Sequence, residues 1–325
     1  MREKCTAAFL YGKFVQNIWA KSLQTIKFNP ERVRTMSRYT IAELEKLTGI
    51  RAGTIRIWER RYRIIKPHRT DTNRRWYDDE DLVRIINIAI LYRHDVKISK
   101  IATMTGEEIA ARVAQLTSET GDTETLLDTL VVAMTALNEK SINEILVRSI
   151  ITRGFENTFE SIVFPFLRRV GVMWQTGSVD IGSEHFISNI FRKRLIVATD
   201  SLPQSEDPGR KRVLLFLPEM EMHELGLLYY EFVIRKAGHD TLYLGQTTPF
   251  NALTDVVERW HPDILVTGSL TGLPYDRPED YLGRLSSVFA TRKVLVSGAM
   301  AEAAARRKFP NIFAVTSRSD LKLHL

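Results

Sequence analysis

The chain has 325 residues, 44% apolar and 26% charged, enough to bury more than one core, which excludes a small single-domain module. Its one cysteine, Cys5, excludes an intramolecular disulfide framework, and no window approaches the roughly 20 uninterrupted apolar residues of a membrane-spanning helix. The expectation is a cytoplasmic protein with no membrane partner, in which the net charge of +7 matters through where it is concentrated.

Residues 1–35 are basic, with Lys4, Lys13, Lys21, Lys27, Arg32 and Arg34, and lack the apolar core and small-residue cleavage site of a secretory signal. They read as an N-terminal extension, with Met36 as an alternative start. Residues 37–105 then show short helical patterns around a basic, turn-rich middle. Thr40-Ile41-Ala42-Glu43 has the form of a capping box, and Leu44 and Leu47 follow at core spacing. Thr48-Gly49-Ile50 supplies a turn. The next helix, predicted over 51–62, places Ile55, Trp58 and Tyr62 on one face, with Arg56, Arg60 and Arg63 opposite.

An arginine face on the second helix of such a unit suits a major groove, where guanidinium groups pair with phosphates or take guanine edges bidentately. The segment 64–77 reads as a β-hairpin wing, with Lys66, Arg69, Arg74 and Arg75 around the turn Asp71-Thr72-Asn73. The candidate contacts to double-stranded DNA are Arg51, Thr54, Arg56, Arg60, Arg61, Arg63, Lys66, Arg69, Arg74, Arg75 and Tyr77. A charge run alone is more often a solvated face. Here the turn, helix and hairpin around it rank the DNA reading higher.

These residues carry a resemblance to the MerR family of transcription regulators. It lies in Tyr39-Thr40-Ile41, Leu47-Thr48-Gly49-Ile50, Thr54-Ile55-Arg56-Ile57-Trp58-Glu59-Arg60-Arg61-Tyr62 and Arg75-Trp76-Tyr77-Asp78-Asp79-Glu80-Asp81-Leu82. The resemblance implies a winged helix-turn-helix that works as a homodimer or higher oligomer, up to a tetramer, on a palindromic promoter, with RNA polymerase as a further partner.

The polar residues 106–124 read as a linker and hinge. From 125 to 203 apolar residues recur at helical spacing, as in Ile142, Ile145, Leu146 and Ile150, which predicts a helical bundle. After a second linker, residues 210–325 alternate short apolar runs with amphipathic helices: 213–217, 241–244, 264–267, 294–296 and 312–315. That rhythm predicts a doubly wound parallel α/β sheet, which takes ligands beyond the carboxyl ends of its strands. His223 falls in the loop after the first of these strands, where a neutral imidazole is able to hold a metal through one nitrogen while Glu221 fixes the other. One histidine does not build a closed zinc site, and taken alone a capping or solvent-facing role for it is at least as common.

The segment 210–316 resembles the Rossmann-like cobalamin-binding domain in Glu221-x-His223-x-x-Gly226, Leu244-Gly245-x-x-x-Pro249 and Gly268-Ser269-x-Thr271. The bundle's Trp174 and Glu184-His185 resemble the cap of light-responsive cobalamin-dependent repressors. The resemblance implies a cobalamin, in the adenosyl form, as cofactor, with His223 as the lower cobalt ligand. It further implies that Glu221, Gly226, Ser269, Thr271 and Gly298 line the site, and that Trp174, Gln175, Glu184 and His185 cover the upper face. At Gln175 those repressors carry a histidine able to take cobalt after photolysis; Ser297 replaces the first of a glycine pair, so a narrowed tail slot is expected.

The function expected is a DNA-binding transcription regulator that senses a cobalamin, and not an enzyme, since no nucleophile–base pair or carboxylate dyad stands out. One alternative keeps the DNA reader and makes the sensor half a vestigial oligomerisation or protein-interaction scaffold. Another, a cobalamin-carrying methyltransferase subunit, leaves the arginine-rich helix without a purpose and ranks last.

Overall fold

The computed structural model describes residues 38–325 except 71, 176–178 and 271–277, with the side chains of 118–120 and 175 also outside the described set. The extension 1–35 lies outside the described residues. The chain divides into two compact units, one ending at Val113 and the other beginning at Ala114.

In the first unit, helix α1 (Ile41–Thr48) opens on the anticipated capping box: the Thr40 amide donates to Glu43 Oε2 at 2.6 Å and the Glu43 amide to Thr40 Oγ1 at 3.3 Å. Gly49 ends it in the left-handed region, at φ 70°, where a glycine carries no Cβ penalty. Helix α2 (Ala52–Tyr62) follows after a three-residue turn and buries Ile55 and Trp58. A small antiparallel hairpin, β1 (His68–Arg69) with β2 (Arg75–Trp76), leads into α3 (Asp79–Arg93). This long helix is apolar around most of its circumference, with Ile85 to Leu91 all buried, and so forms the centre against which α1 packs. A short turn of helix, α4 (Ile98–Ile101), caps it.

Residues 106–120, read from sequence as part of a hinge, form a continuous helix, α5 (Gly106–Thr120). Two local signals outweigh the polar composition. Thr105 and Glu108 make a second reciprocal cap, at 2.7 and 3.2 Å, and Ile109, Val113 and Leu116 recur at spacings of four and three and are buried. The division between the two units falls inside this helix.

The second unit starts with a helical part: α6 (Thr123–Thr135), α7 (Glu139–Arg153), the short α8 (Phe155–Thr158), a π-helical turn (Phe159–Val163), α9 (Phe164–Gln175) and α10 (Ile181–Asp200). Its α/β part is β3 (Arg212–Phe216), α11 (Leu225–Lys236), β4 (Asp240–Gly245), α12 (Phe250–Trp260), β5 (Ile264–Ser269), α13 (Pro278–Val288), β6 (Lys293–Gly298), α14 (Ala299–Arg306), β7 (Ile312–Ala314) and α15 (Arg318–His324). The strands pair in parallel in the order β4-β3-β5-β6-β7, the doubly wound sheet anticipated from sequence. Strands buried on both faces read as unbroken apolar runs, which is why Val213 to Leu217 was visible in the sequence.

The helical and α/β parts, expected as the separate domains 125–203 and 210–325, pack into one compact unit. Phe155, Phe159 and Phe164 lie 4.5–6.0 Å, centroid to centroid, from Phe232 and Tyr229 of α11. The Tyr229 hydroxyl donates to Glu160 Oε1 at 2.6 Å, and burial together with that acceptor pushes its pKa far upward. Within the bundle, Arg169 meets Asp128, whose side chain is almost fully buried, at 2.6 Å. Arg169→Met removes the cation facing a buried carboxylate and lowers stability by about 1.5–3 kcal/mol in urea unfolding, whereas Asp128→Leu combined with Arg169→Met recovers most of that loss.

Candidate functional site

Helix α2 presents Arg51, Arg56, Arg60, Arg61 and Arg63 to solvent, with Thr54 half-buried on its first turns. Glu45 anchors its start by accepting from the Ala52 amide at 3.0 Å. The wing keeps Lys66, Arg69, Arg74 and Arg75 exposed; Arg69 is steadied by Asn73 at 2.5 Å, and Arg75 lies 3.5 Å from Glu59. Its turn residue Asp71 lies outside the described residues. Tyr77, read from sequence as a DNA contact, is fully buried instead. It bridges to Tyr39, and its hydroxyl donates to Glu59 at 3.2 Å; burial, then the Glu59 charge, pushes its pKa up to about 12. Its task is to fasten the wing to α2. Sequence reading also passed over Ile57, half exposed among the arginines, an apolar surface of the kind that meets thymine methyl groups.

The second site lies at the carboxyl ends of β3, β5 and β6. Glu221 is buried and accepts three hydrogen bonds: from His223 Nδ1 at 2.6 Å, the His223 amide at 2.9 Å and, to its other oxygen, the Leu270 amide at 2.9 Å. Burial raises the Glu221 pKa, yet these bonds outweigh it and hold the carboxyl below its ordinary value. The same bond raises the His223 pKa above its ordinary value; burial opposes this, and the charges of Glu221 and Glu184 add to the rise. With Nδ1 committed to Glu221 and half the ring exposed, Nε2 is the atom left for a ligand.

The loop carrying His223 is held from both sides. Gln246 donates to the Met222 carbonyl at 2.6 Å, and the amides of Thr247 and Thr248 reach Glu221 and Leu217. From α10, Arg192 lies 2.6 Å from Glu224, and Tyr243 donates to the other oxygen of Glu224 at 2.9 Å. Neither Arg192 nor Glu224 was singled out from sequence; the only signal was the position of Glu224 beside His223. Trp174 is 54% exposed, and near it in sequence Glu184 accepts from Ser188 at 2.6 Å and pairs with His185 at 2.7 Å. The Gln175 side chain and Thr271 lie outside the described residues.

Gly226 sits in the first turn of α11 with open space where a Cβ would be. At Gly298, φ is 62° and a Cβ would collide with the Ser269 carbonyl oxygen, so only glycine allows β6 to run this close to β5. Ser297 does not narrow the Ser269 side, contrary to expectation. It pairs with Gly268 in the parallel register, one residue out of phase with Ser269, so its hydroxyl lies on the opposite face over a residue without a Cβ and donates to the Thr267 carbonyl at 3.4 Å.

Residues 39–108 match the family model described as MerR HTH family regulatory protein, and residues 126–198, the helical part of the second unit, match the B12 binding domain. The chain is 30% identical over 256 residues to the HTH-type transcriptional repressor CarH of Myxococcus xanthus, covering 76% of this chain and 84% of that protein. The chain belongs to the family of that repressor. A second repressor from the same organism, CarA, is 28% identical over 72% of this chain and 74% of its own length. Among solved structures, a Methanosarcina barkeri monomethylamine corrinoid protein shares the fold with a TM-score of 0.52 at 13% identity, covering 63% of this chain and 99% of its own.

The protein is thus a MerR-type DNA-binding transcription regulator with a B12 binding domain, and the two relatives that match most of its length are transcriptional repressors. Among the described residues no helix is long and apolar enough to cross a membrane. The second site fits a cobalamin on its own chemistry: a carboxylate-oriented imidazole with Nε2 left over, and a buried Ser269 hydroxyl that has no partner among the described residues.

Arg56→Ala with Arg60→Ala weakens binding to duplex DNA and lowers the slope of log affinity against log salt by about 2, read by fluorescence anisotropy at several salt concentrations; Tyr77→Phe leaves that slope unchanged. In the ligand-free protein the His223 ring, followed by NMR, titrates above its ordinary value of 6.5, and Glu221→Gln brings the titration down. The stabilisation from this bond is therefore complete below the unfolded-state pKa of His223 and fades as pH rises through the raised folded value.

Proposed function

We propose that this regulator senses a cobalamin, in its adenosyl form, and that binding changes how copies of the chain associate on DNA. The single observation carrying the ligand assignment is His223, turned by the buried Glu221 so that Nε2 is offered at the strand ends. Holding Nδ1 by a carboxylate fixes the ring orientation and raises the basicity of the other nitrogen, as in metal sites generally. His223 would hold the cobalt through Nε2, and Ser269, Gly298 and Gly226 would line the slot for the nucleotide tail. When bound, the cofactor supplies a cobalt centre whose upper group defines the state being sensed.

Trp174, Glu184 and His185 would cover the face of the cofactor away from His223. The exposure of Trp174, together with that of Val172 and Ile181, supports an upper group large and apolar enough to rest against them. Arg192 ties α10, the helix bearing Glu184 and His185, to Glu224 beside the cobalt ligand, so that occupancy of one side is felt on the other. A ligand that binds one association state better shifts the population toward it. A dimer or tetramer on palindromic DNA, with RNA polymerase nearby in the cytoplasm, follows as the working assembly.

The test is the visible absorption spectrum after dark incubation with adenosylcobalamin and desalting. The wild-type chain retains a histidine-ligated cobalamin spectrum and His223→Ala loses it. A wild-type chain that retains no chromophore from either adenosylcobalamin or hydroxocobalamin contradicts the assignment.

A further inference from the structure

Two side chains on β5 remain unexplained by cobalt ligation. Thr267 is 0% and Ser269 5% exposed, and the hydroxyls of both lack a partner among the described residues. A buried hydroxyl without a hydrogen bond is a net cost to folding, and valine would fill the Thr267 position with the same shape at less cost. Successive side chains of a strand alternate faces, so Thr267 and Ser269 point to the same side, opposite Val296 and Gly298 of β6. Leu265, Val294 and Val296 on that side belong to the apolar core with Leu253, Tyr281 and Met300, which makes Thr267 a hydroxyl set at the edge of an otherwise apolar wall.

The spacing gives the two hydroxyls different tasks. Ser269 stands at the carboxyl end of β5, the end at which sheets of this kind take ligands, with Gly298 of β6 packed close against its carbonyl. Thr267 lies two residues deeper, about 6.6 Å along the strand, a separation on the scale of a fused two-ring base. A dimethylbenzimidazole, the base of cobalamin, would turn two methyl groups toward Thr267 and leave its hydroxyl unsatisfied. A base with a hydrogen-bonding group on the far edge would satisfy it.

We propose that Thr267 is a specificity-determining residue that selects corrinoids whose lower nucleotide base carries a hydrogen-bonding group on its far edge, in preference to dimethylbenzimidazole. The inference rests on the reading above that the second site takes a corrinoid, and concerns only which lower base is held most tightly. The sequence held a signal for it: a second hydroxyl residue two positions before Ser269, at the period of one strand face.

The probes are 5-hydroxybenzimidazolyl cobamide, cobalamin and tail-less cobinamide, each in the same upper-ligand form, titrated into the full chain by absorbance. The wild type binds the hydroxylated cobamide roughly two- to tenfold more tightly than cobalamin, the range of one hydrogen bond. Thr267→Val removes or reverses that preference, leaves cobinamide affinity unchanged and raises the melting temperature of the ligand-free protein. Thr267→Ser keeps the preference. Equal affinity of the wild type for the two cobamides, or an undiminished preference in Thr267→Val, overturns the inference while leaving the cobalamin reading in place. Failure of the wild type to bind any of the three, cobinamide included, overturns both.

Discussion

The second unit depends on where one buried carboxylate spends its hydrogen bonds. Glu221 joins the loop after β3 to the end of β5 through the Leu270 amide, and it grips both the backbone and the ring of His223. Removing a carboxylate from water is costly unless its oxygens are satisfied, and here three donors do so. The geometry that satisfies the carboxylate is the one that aims the imidazole. Folding and ligand positioning are therefore a single arrangement, and a change that loosens one loosens the other.

Around that carboxylate the helical and α/β parts are joined by interactions that sequence patterns do not display. Arg192 with Glu224, Tyr229 with Glu160, and Lys236 with Glu156 at 2.5 Å each connect residues more than 30 positions apart. Glu224 also receives Tyr243, whose pKa is driven far upward by burial and then by the Glu224 charge. A carboxylate shared between a bundle arginine and a sheet tyrosine, one residue from His223, makes α10 sensitive to that loop. In the DNA-reading unit, Tyr77 plays a comparable part: a buried tyrosine hydroxyl on Glu59 holds the wing against the arginine-bearing helix.

What was readable from sequence was what is local and periodic. The capping box at Thr40, the turn at Gly49, the face of Ile55 and Trp58, and the apolar strand runs all follow from neighbours within a few residues. The polar composition of 106–122 misled because helix formation there is decided by Ile109, Val113 and Leu116 and by a cap at Thr105, features outweighed in a reading by composition. Tyr77 misled for a related reason: a tyrosine amid basic residues looks like a surface contact, and only its bridge to Tyr39, 38 positions earlier, shows it to be core. Ser297 was misplaced because the side on which a strand residue projects depends on register, and the register with Gly268 is a property of the assembled sheet.

Whether a ligand held at His223 alters DNA reading is tested most directly by the affinity of one preparation for duplex DNA with and without adenosylcobalamin, kept in the dark at fixed salt. Coupling between two sites appears as a ratio of the two affinities, and ratios of about 5–150 are usual. Such a ratio is expected for the wild-type chain and a ratio of one for His223→Ala. Equal DNA affinity of the loaded and unloaded wild-type protein would contradict coupling between the two sites, leaving a DNA reader joined to a ligand site that does not govern it.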